Sequence, residues 1–242
     1  MKPILIKELN SFFSSPIAYL VIAVYLVMNG LFLWVFQGDF NILHAGFADL
    51  NSYFFIAPWI FIFLIPAITM RSFSDEINTG TIEILKTKPF THWQLILGKY
   101  LASLLLIAIA ILPTLVYVIS IYQLGNPIGN IEFGTTIGSF LGLLFLVSAY
   151  TAIGLFSSTV SKNQIVSFII AVCITLFLHQ GFEVISNYNL FGNLDYFIQK
   201  LGMSEHYNSI SKGVIDTRDL IYFISVTFFF LFLTKFRIQH EQ

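Results

Sequence analysis

Five histidines, one cysteine and thirteen carboxylates are the raw material for any catalysis in this chain. Their spacing supports little of it. His44, His92, His179, His206 and His240 are scattered. No H-E-x-x-H motif is present for a zincin. His179 and Glu183 stand four apart, so one helix face could carry both as a hydrogen-bonded pair, a proton relay or a metal site. The hydrogen-bonded pair is the commoner arrangement. Cys173 stands alone, which excludes an internal disulfide or a cysteine metal cluster. It reads as a buried apolar residue. Ser157, Ser158 and Thr159 read as a polar helix end rather than a nucleophile site. There is no G-x-x-x-x-G-K-[ST], and Gly98-Lys99 lacks the upstream glycine that a phosphate-cradling loop requires. No metal ligands or cofactor-binding residues are expected in this chain.

The chemistry sits instead in one charged segment. Arg71, Asp75, Glu76, Glu83, Lys86, Lys88 and Lys99 fall within residues 71–99, between two long apolar runs. The other 18 charged residues are spread thinly over the rest of the chain. Only 10% of its 242 residues are charged and 57% are hydrophobic, against about 25% charged in ordinary soluble domains. Mean hydropathy is +0.81. A net charge of −1 gives no pull toward nucleic acid. The length suits a single transmembrane domain over residues 1–242, without an added soluble catalytic unit.

Charge-free intervals place six spans near residues 17–36, 54–70, 100–122, 135–157, 164–184 and 219–236. Crossing about 30 Å of hydrocarbon takes roughly 20 helical residues, and a charge at a span centre would cost about 2.5–3.5 kcal/mol. The second span, with Pro58 and Pro66, is expected to be short. An even number of spans puts both termini on one side. That side collects Lys2, Lys7, Arg71, Lys86, Lys88, Lys99, Lys162, Lys235 and Arg237, while Lys200, Lys212 and Arg218 fall on the other. The positive-inside rule makes the lysine-rich side cytoplasmic. A multi-pass membrane protein is expected, with both ends in the cytoplasm.

Residues 1–16 read as an amphipathic helix on the membrane surface, with Leu5, Leu9, Phe12 and Phe13 on one face and Pro16 breaking it from the first span. Within residues 71–99, Asn78-Thr79-Gly80 is turn-like. A turn or two of helix follows over Thr81 to Lys86 and ends at Lys88-Pro89. Thr91 and Gln94 fit a capping box that opens a helix running into the third span. Residues 186–218 are too apolar for a free linker. They are expected to form short segments at, or dipping into, the far end of the bundle. No span centre carries a charge, so the ion pathway of a secondary transporter is not supported, nor are paired broken helices. Energy must enter from outside the spans, and residues 71–99 are its entrance.

These residues resemble a known family. Glu76-x-x-x-Gly80-Thr81-x-Glu83-x-Leu85-x-x-x-Pro89 followed by Gly98-Lys99 is similar to the loop motif of permease subunits of type-2 ABC exporters. Glu205-His206-Tyr207-Asn208-x-Ile210-x-x-Gly213-x-Ile215-Asp216-x-Arg218-Asp219 resembles the segment before their last helix. Within the family, the gliding-motility-associated permeases, relatives of the NosY type, are most similar. The resemblance covers essentially the whole chain. It implies an all-α membrane protein of six transmembrane helices, with an N-terminal amphipathic interface helix and a cytoplasmic coupling helix between spans two and three. It further implies an ATPase-coupling interface at Glu76, Gly80, Thr81, Glu83, Leu85, Lys86 and Pro89, with a short second contact at Ser158–Asn163. An extracytoplasmic re-entrant segment would hold His206, Tyr207, Gly213 and Asp216. The implied partners are an ABC ATPase subunit that binds ATP and Mg, a second permease or membrane subunit, and the lipid bilayer. The competing reading is a membrane anchor or assembly factor that recruits a cytoplasmic partner and transports nothing.

Overall fold

The computed structural model describes residues 1–44, 46–81, 91–188, 192–213 and 216–240. Among the described residues the protein is all helical, with six helices long and apolar enough to cross a membrane. In chain order these are Pro16–Val35, Asn51–Asn78, His92–Leu124, Phe133–Ser158, Gln164–Asn187 and Thr217–His240. Ahead of them lies α1, Lys2–Ser14. Ser15 is extended, at φ −106° and ψ 156°, because the ring of Pro16 excludes the helical region for the residue before it. Pro16 then occupies the first turn of α2, Pro16–Gly30, where its missing N–H costs nothing.

The second span is longer than its charge-free interval. α3, Asn51–Thr69, contains both Pro58 and Pro66, and α4, Arg71–Asn78, continues it after Met70. Neither proline ends the helix. The Met70 amide donates to the Pro66 carbonyl at 2.8 Å, so the helical ladder closes again one turn later. The third span runs as α5, His92–Ile111, a tight turn at Leu112–Thr114 containing Pro113, and α6, Leu115–Leu124. α7, Phe133–Ser158, is the fourth span. The fifth is α8, Gln164–Leu176, a wide π-turn at Phe177–Gly181, and α9, Phe182–Asn187. Two short helices, α10 (Asp195–Gln199) and α11 (Met203–Ser211), precede α12, Thr217–His240.

α3 and α7 form the centre. Their spans are 61% and 67% buried, against 28% for the first, fifth and sixth. Glycine allows this. A Cβ on Gly154 would meet the Thr69 hydroxyl at 2.1 Å, so α7 and the end of α3 approach as closely as small residues permit in membrane bundles. Buried hydroxyls tie the outer part of the core. Tyr25 and Tyr53 share a hydrogen bond of 2.8 Å, and Tyr53 reaches Thr114 at 2.8 Å. The outward faces keep large apolar side chains such as Phe228, Phe232 and Phe236, as expected where hydrocarbon replaces water. Cys173 also faces outward. A membrane helix gains nothing by hiding an apolar side chain from lipid, so the expected burial fails there.

Candidate functional site

The charged segment begins at α4 and ends at α5, and Lys99 joins the two. Lys99 is the second residue of the Gly98-Lys99 pair. A Cβ on Gly98 would collide with Ile4 Cγ2 at 2.8 Å, so only glycine lets α1 lie this close across α5. That approach covers Lys99, whose side chain is 2% exposed. A buried ammonium must be paired, and it is. Its Nζ donates to Glu76 Oε1 at 2.8 Å, to the Ser72 carbonyl at 2.7 Å and to Glu8 Oε1 at 3.1 Å. An ammonium has three N–H donors, and all are used. Phe73 closes one side, its ring centroid 5.0 Å from Nζ. Lys7 lies outside at 3.7 Å from Glu8 and 3.9 Å from Glu76. Two cations and two carboxylates therefore cancel at the junction of α1, α4 and α5.

The neighbouring residue, Asp75, holds the opposite flank of α4. It accepts from Gln164 Nε2 at the start of α8 and pairs with Arg71 at 3.4 Å. The start of α8 is itself fixed, because Asn163 Oδ1 accepts from the Ile165 amide at 2.9 Å. α4 is thus clamped on one flank to α1 and α5, and on the other to α8.

Beyond the clamp the chain turns. The Thr79 hydroxyl donates to the Asp75 carbonyl at 2.7 Å and lies 2.9 Å from the Thr81 hydroxyl. Gly80 takes φ +70°, the left-handed conformation that ends helices. Gly80 and Thr81 are exposed at this tip, whereas Glu76 is withdrawn into the ion cluster. Glu83, Leu85, Lys86 and Pro89 lie outside the described residues. The chain is described again at Thr91, where the capping box forms. Thr91 Oγ1 accepts from the Gln94 amide, and Gln94 Oε1 accepts from the Thr91 amide, both at 3.3 Å.

α1 presents Leu5, Leu9, Phe12 and Phe13 as half-buried side chains. Phe12 and Phe13 pack on the core, and Ile4 is its most buried residue. Part of the predicted apolar face is therefore used within the protein. The polar end of α7 packs inward: Ser157, Ser158 and the following Thr159 are buried, and each hydroxyl donates to a backbone carbonyl. Beyond them Val160, Lys162 and Asn163 are exposed.

At the other end of the bundle α11 packs into a seam of α7. Ile210 contacts the bare backbone at Gly142, and Gly213, at φ +85°, fits against Thr135. The Tyr207 hydroxyl donates to the Phe54 carbonyl at 2.8 Å; burial pushes its pKa well above the ordinary tyrosine value, so it stays a donor. Asp216 accepts from the Arg218 amide at 2.9 Å and opens α12. A polar cavity of about 690 Å³ lies between Asp49, Glu132, Ser139 and the end of α11 at Asn208 and Lys212.

His179 and Glu183 do not pair. His179 is buried, with the rings of Trp59 and Tyr150 both at 6.0 Å. Glu183 instead accepts from Gln180 at 3.0 Å and Ser204 at 2.9 Å. Among the described residues no group of three or more His, Cys, Asp or Glu side chains is placed to hold a metal ion. Glu8 and the burial of Lys99 were missed in the sequence, although the Gly98-Lys99 pair at the start of an apolar helix was a signal for them.

No curated protein matches the chain. The family model described as ABC-2 family transporter protein matches residues 12–234. That match takes in all six membrane-spanning helices apart from the last few residues of α12. This multi-pass membrane protein belongs to the ABC-2 family of transporter proteins.

Proposed function

We propose that the chain is the permease subunit of an ATP-driven type-2 ABC transporter complex in the bacterial inner membrane, with both termini cytoplasmic. A separate ATPase subunit, which binds ATP and Mg, would seat on the tip formed by Gly80, Thr81, Glu83, Leu85, Lys86 and Pro89. The carrying observation is the clamp on α4. A push at Gly80 enters a helix whose flanks are ion-paired or hydrogen-bonded to α1, α5 and α8, so it reaches three elements without a compliant hinge. Glu76 then acts behind the contact, transmitting displacement through Lys99. α1 would rest in the membrane interface on what remains of its apolar face. The segment of His206, Tyr207, Gly213 and Asp216 would close the extracytoplasmic end. A second permease or membrane subunit would complete the path.

The resemblance of the whole chain to the gliding-motility permease GldF and the NosY-type permeases makes gliding motility the biological setting of this proposal. The anchor reading differs in one respect: it recruits the same kind of cytoplasmic partner and moves nothing.

The test is a photo- or thiol-reactive cross-linker at Glu83→Cys in a Cys173→Ser background, read by mass spectrometry in native membranes. Capture of a P-loop ATPase, changed by trapping the nucleotide state, supports the permease. Capture of a protein without ATPase motifs, or of nothing by a correctly inserted chain, overturns it.

A further inference from the structure

Pro16 begins the first span, and Arg71 follows the apolar run of the second. Consecutive spans run in opposite directions, so both residues stand at the same membrane surface. α1 crosses there, and between it and the junction of α3 with α4 lies a pocket of about 200 Å³. Phe12, Ile17 and Ile68 make its apolar side. Its polar side carries three cations, Lys7, Arg71 and Lys99, and three carboxylates, Glu8, Asp75 and Glu76.

The charges balance there, but the hydrogen bonds do not. Lys99 is fully used within the cluster. The Lys7 ammonium stands 3.7 Å from Glu8 and 3.9 Å from Glu76, beyond hydrogen-bond length, and its side chain is 62% exposed. Arg71 makes one long contact, from Nε to Asp75 Oδ2 at 3.4 Å. The rest of its guanidinium N–H groups have no acceptor among the described residues. The acceptors show the opposite lack. Glu76 Oε1 takes Lys99, but its Oε2 is buried with no donor among the described residues, although buried polar atoms are nearly always paired. Asp75 accepts from Gln164 and Arg71, which leaves lone pairs on a carboxylate that is 37% exposed.

Unused cationic donors on one side and unused carboxylate acceptors on the other call for a ligand that carries an anion and a donor cation close together. A guanidinium fork pairs two N–H groups with the oxygens of a phosphate, and the flexible Lys7 ammonium can close on the same group. A headgroup with a net negative charge would add an anion beside three carboxylates. A trimethylated ammonium would bring the positive charge without an N–H for them. A phosphate joined to a primary ammonium supplies both halves and leaves the charge of the pocket unchanged.

We propose that this pocket binds the headgroup of phosphatidylethanolamine: its phosphate on Arg71 and Lys7, its ammonium beside Asp75 and Glu76, and its glycerol against Phe12, Ile17 and Ile68. The lipid fills the corner between α1 and the first two spans. The site rests on α1 lying in the membrane interface and not on ATPase coupling, so the purified chain alone tests it.

The experiment is native mass spectrometry of the purified, delipidated protein offered equal amounts of phosphatidylethanolamine, phosphatidylglycerol and phosphatidylcholine with the same acyl chains. Phosphatidylethanolamine should be retained over both others. Lys7→Gln with Arg71→Gln, both exposed positions, should lower its retention on the order of tenfold, the weight of one charge-assisted hydrogen bond. Lys2→Gln, which changes an exposed cation of α1 outside the pocket, should leave retention as it was. On the unaltered chain, a phosphatidylethanolamine with a photoreactive diazirine at the head of one acyl chain should label Phe12, Ile17 or Ile68. Phosphatidylglycerol or phosphatidylcholine held as well as phosphatidylethanolamine, equal retention by the double variant, or labelling confined to other helices overturns the site.

Discussion

Lys99 Nζ lies 2.8 Å from Glu76 Oε1, which makes residues 23 positions apart a buried ion pair across the base of the charged loop. The loop's two ends are therefore not independent. Whatever seats between them meets a closed frame, whose third member is Glu8 of α1.

Lys99→Met should destabilise the protein by about 3–5 kcal/mol, because it leaves Glu8 and Glu76 facing each other with only the exposed Lys7, at 3.7 and 3.9 Å, as a counter-charge. The purified protein should melt well below wild type. Adding Glu8→Gln and Glu76→Gln should restore most of the loss. A single variant that melts with wild type would show that the buried ammonium is not what holds α1, α4 and α5 together.

Gly98→Val places carbon atoms where Ile4 Cγ2 already stands 2.8 Å from an ideal Cβ. Overpacking of this kind costs about 1–3 kcal/mol. Ile4→Ala in the same chain should recover part of that cost, and a double-mutant cycle on melting temperature measures the coupling. Purely additive losses would place the strain elsewhere.

Thr91→Ala removes the acceptor of the Gln94 amide and should cost about 1 kcal/mol. Because the cap lies at the start of the third span, hydrogen exchange should quicken over His92 to Leu95 and stay unchanged in α7. Exchange that is unaltered at His92 to Leu95 would mean that packing alone fixes this helix start.

Gly154→Leu should be far more damaging than Gly154→Ala, since Thr69 Oγ1 is 2.1 Å from even a Cβ there. Thr69→Gly should ease the Gly154→Ala variant and do little for Gly154→Leu. Folded yield in detergent, compared across the four chains, reads the order directly.

The spans were legible in the sequence for a simple reason: charges cannot be spent inside hydrocarbon, so their absence marks the helices. The Thr91 and Gln94 cap was legible too, because its partners are three residues apart and need no tertiary structure. The second span's charge-free run stops at Met70, yet its helix continues through Asn78, because a helix ends where its hydrogen bonds end; polarity and helicity part company over Arg71–Asn78. His179 and Glu183 show the converse. Helical spacing allowed them to meet, yet Ser204 and the Trp59 and Tyr150 rings, all distant in sequence, supplied other surroundings. The Lys99 cluster needed contacts across 91 and 23 residues, and no local pattern encodes those. Only the glycine beside it hinted that another backbone comes near.

The same cluster sets an order of events during synthesis. Glu8 leaves the ribosome 91 residues before the lysine that neutralises it. α1 is complete when the first two spans are still being made, and its docking surface on Gly98 does not yet exist. The earliest helix to emerge must therefore wait, undocked, until the third span has been threaded, and Lys99 is the residue whose arrival ends that wait.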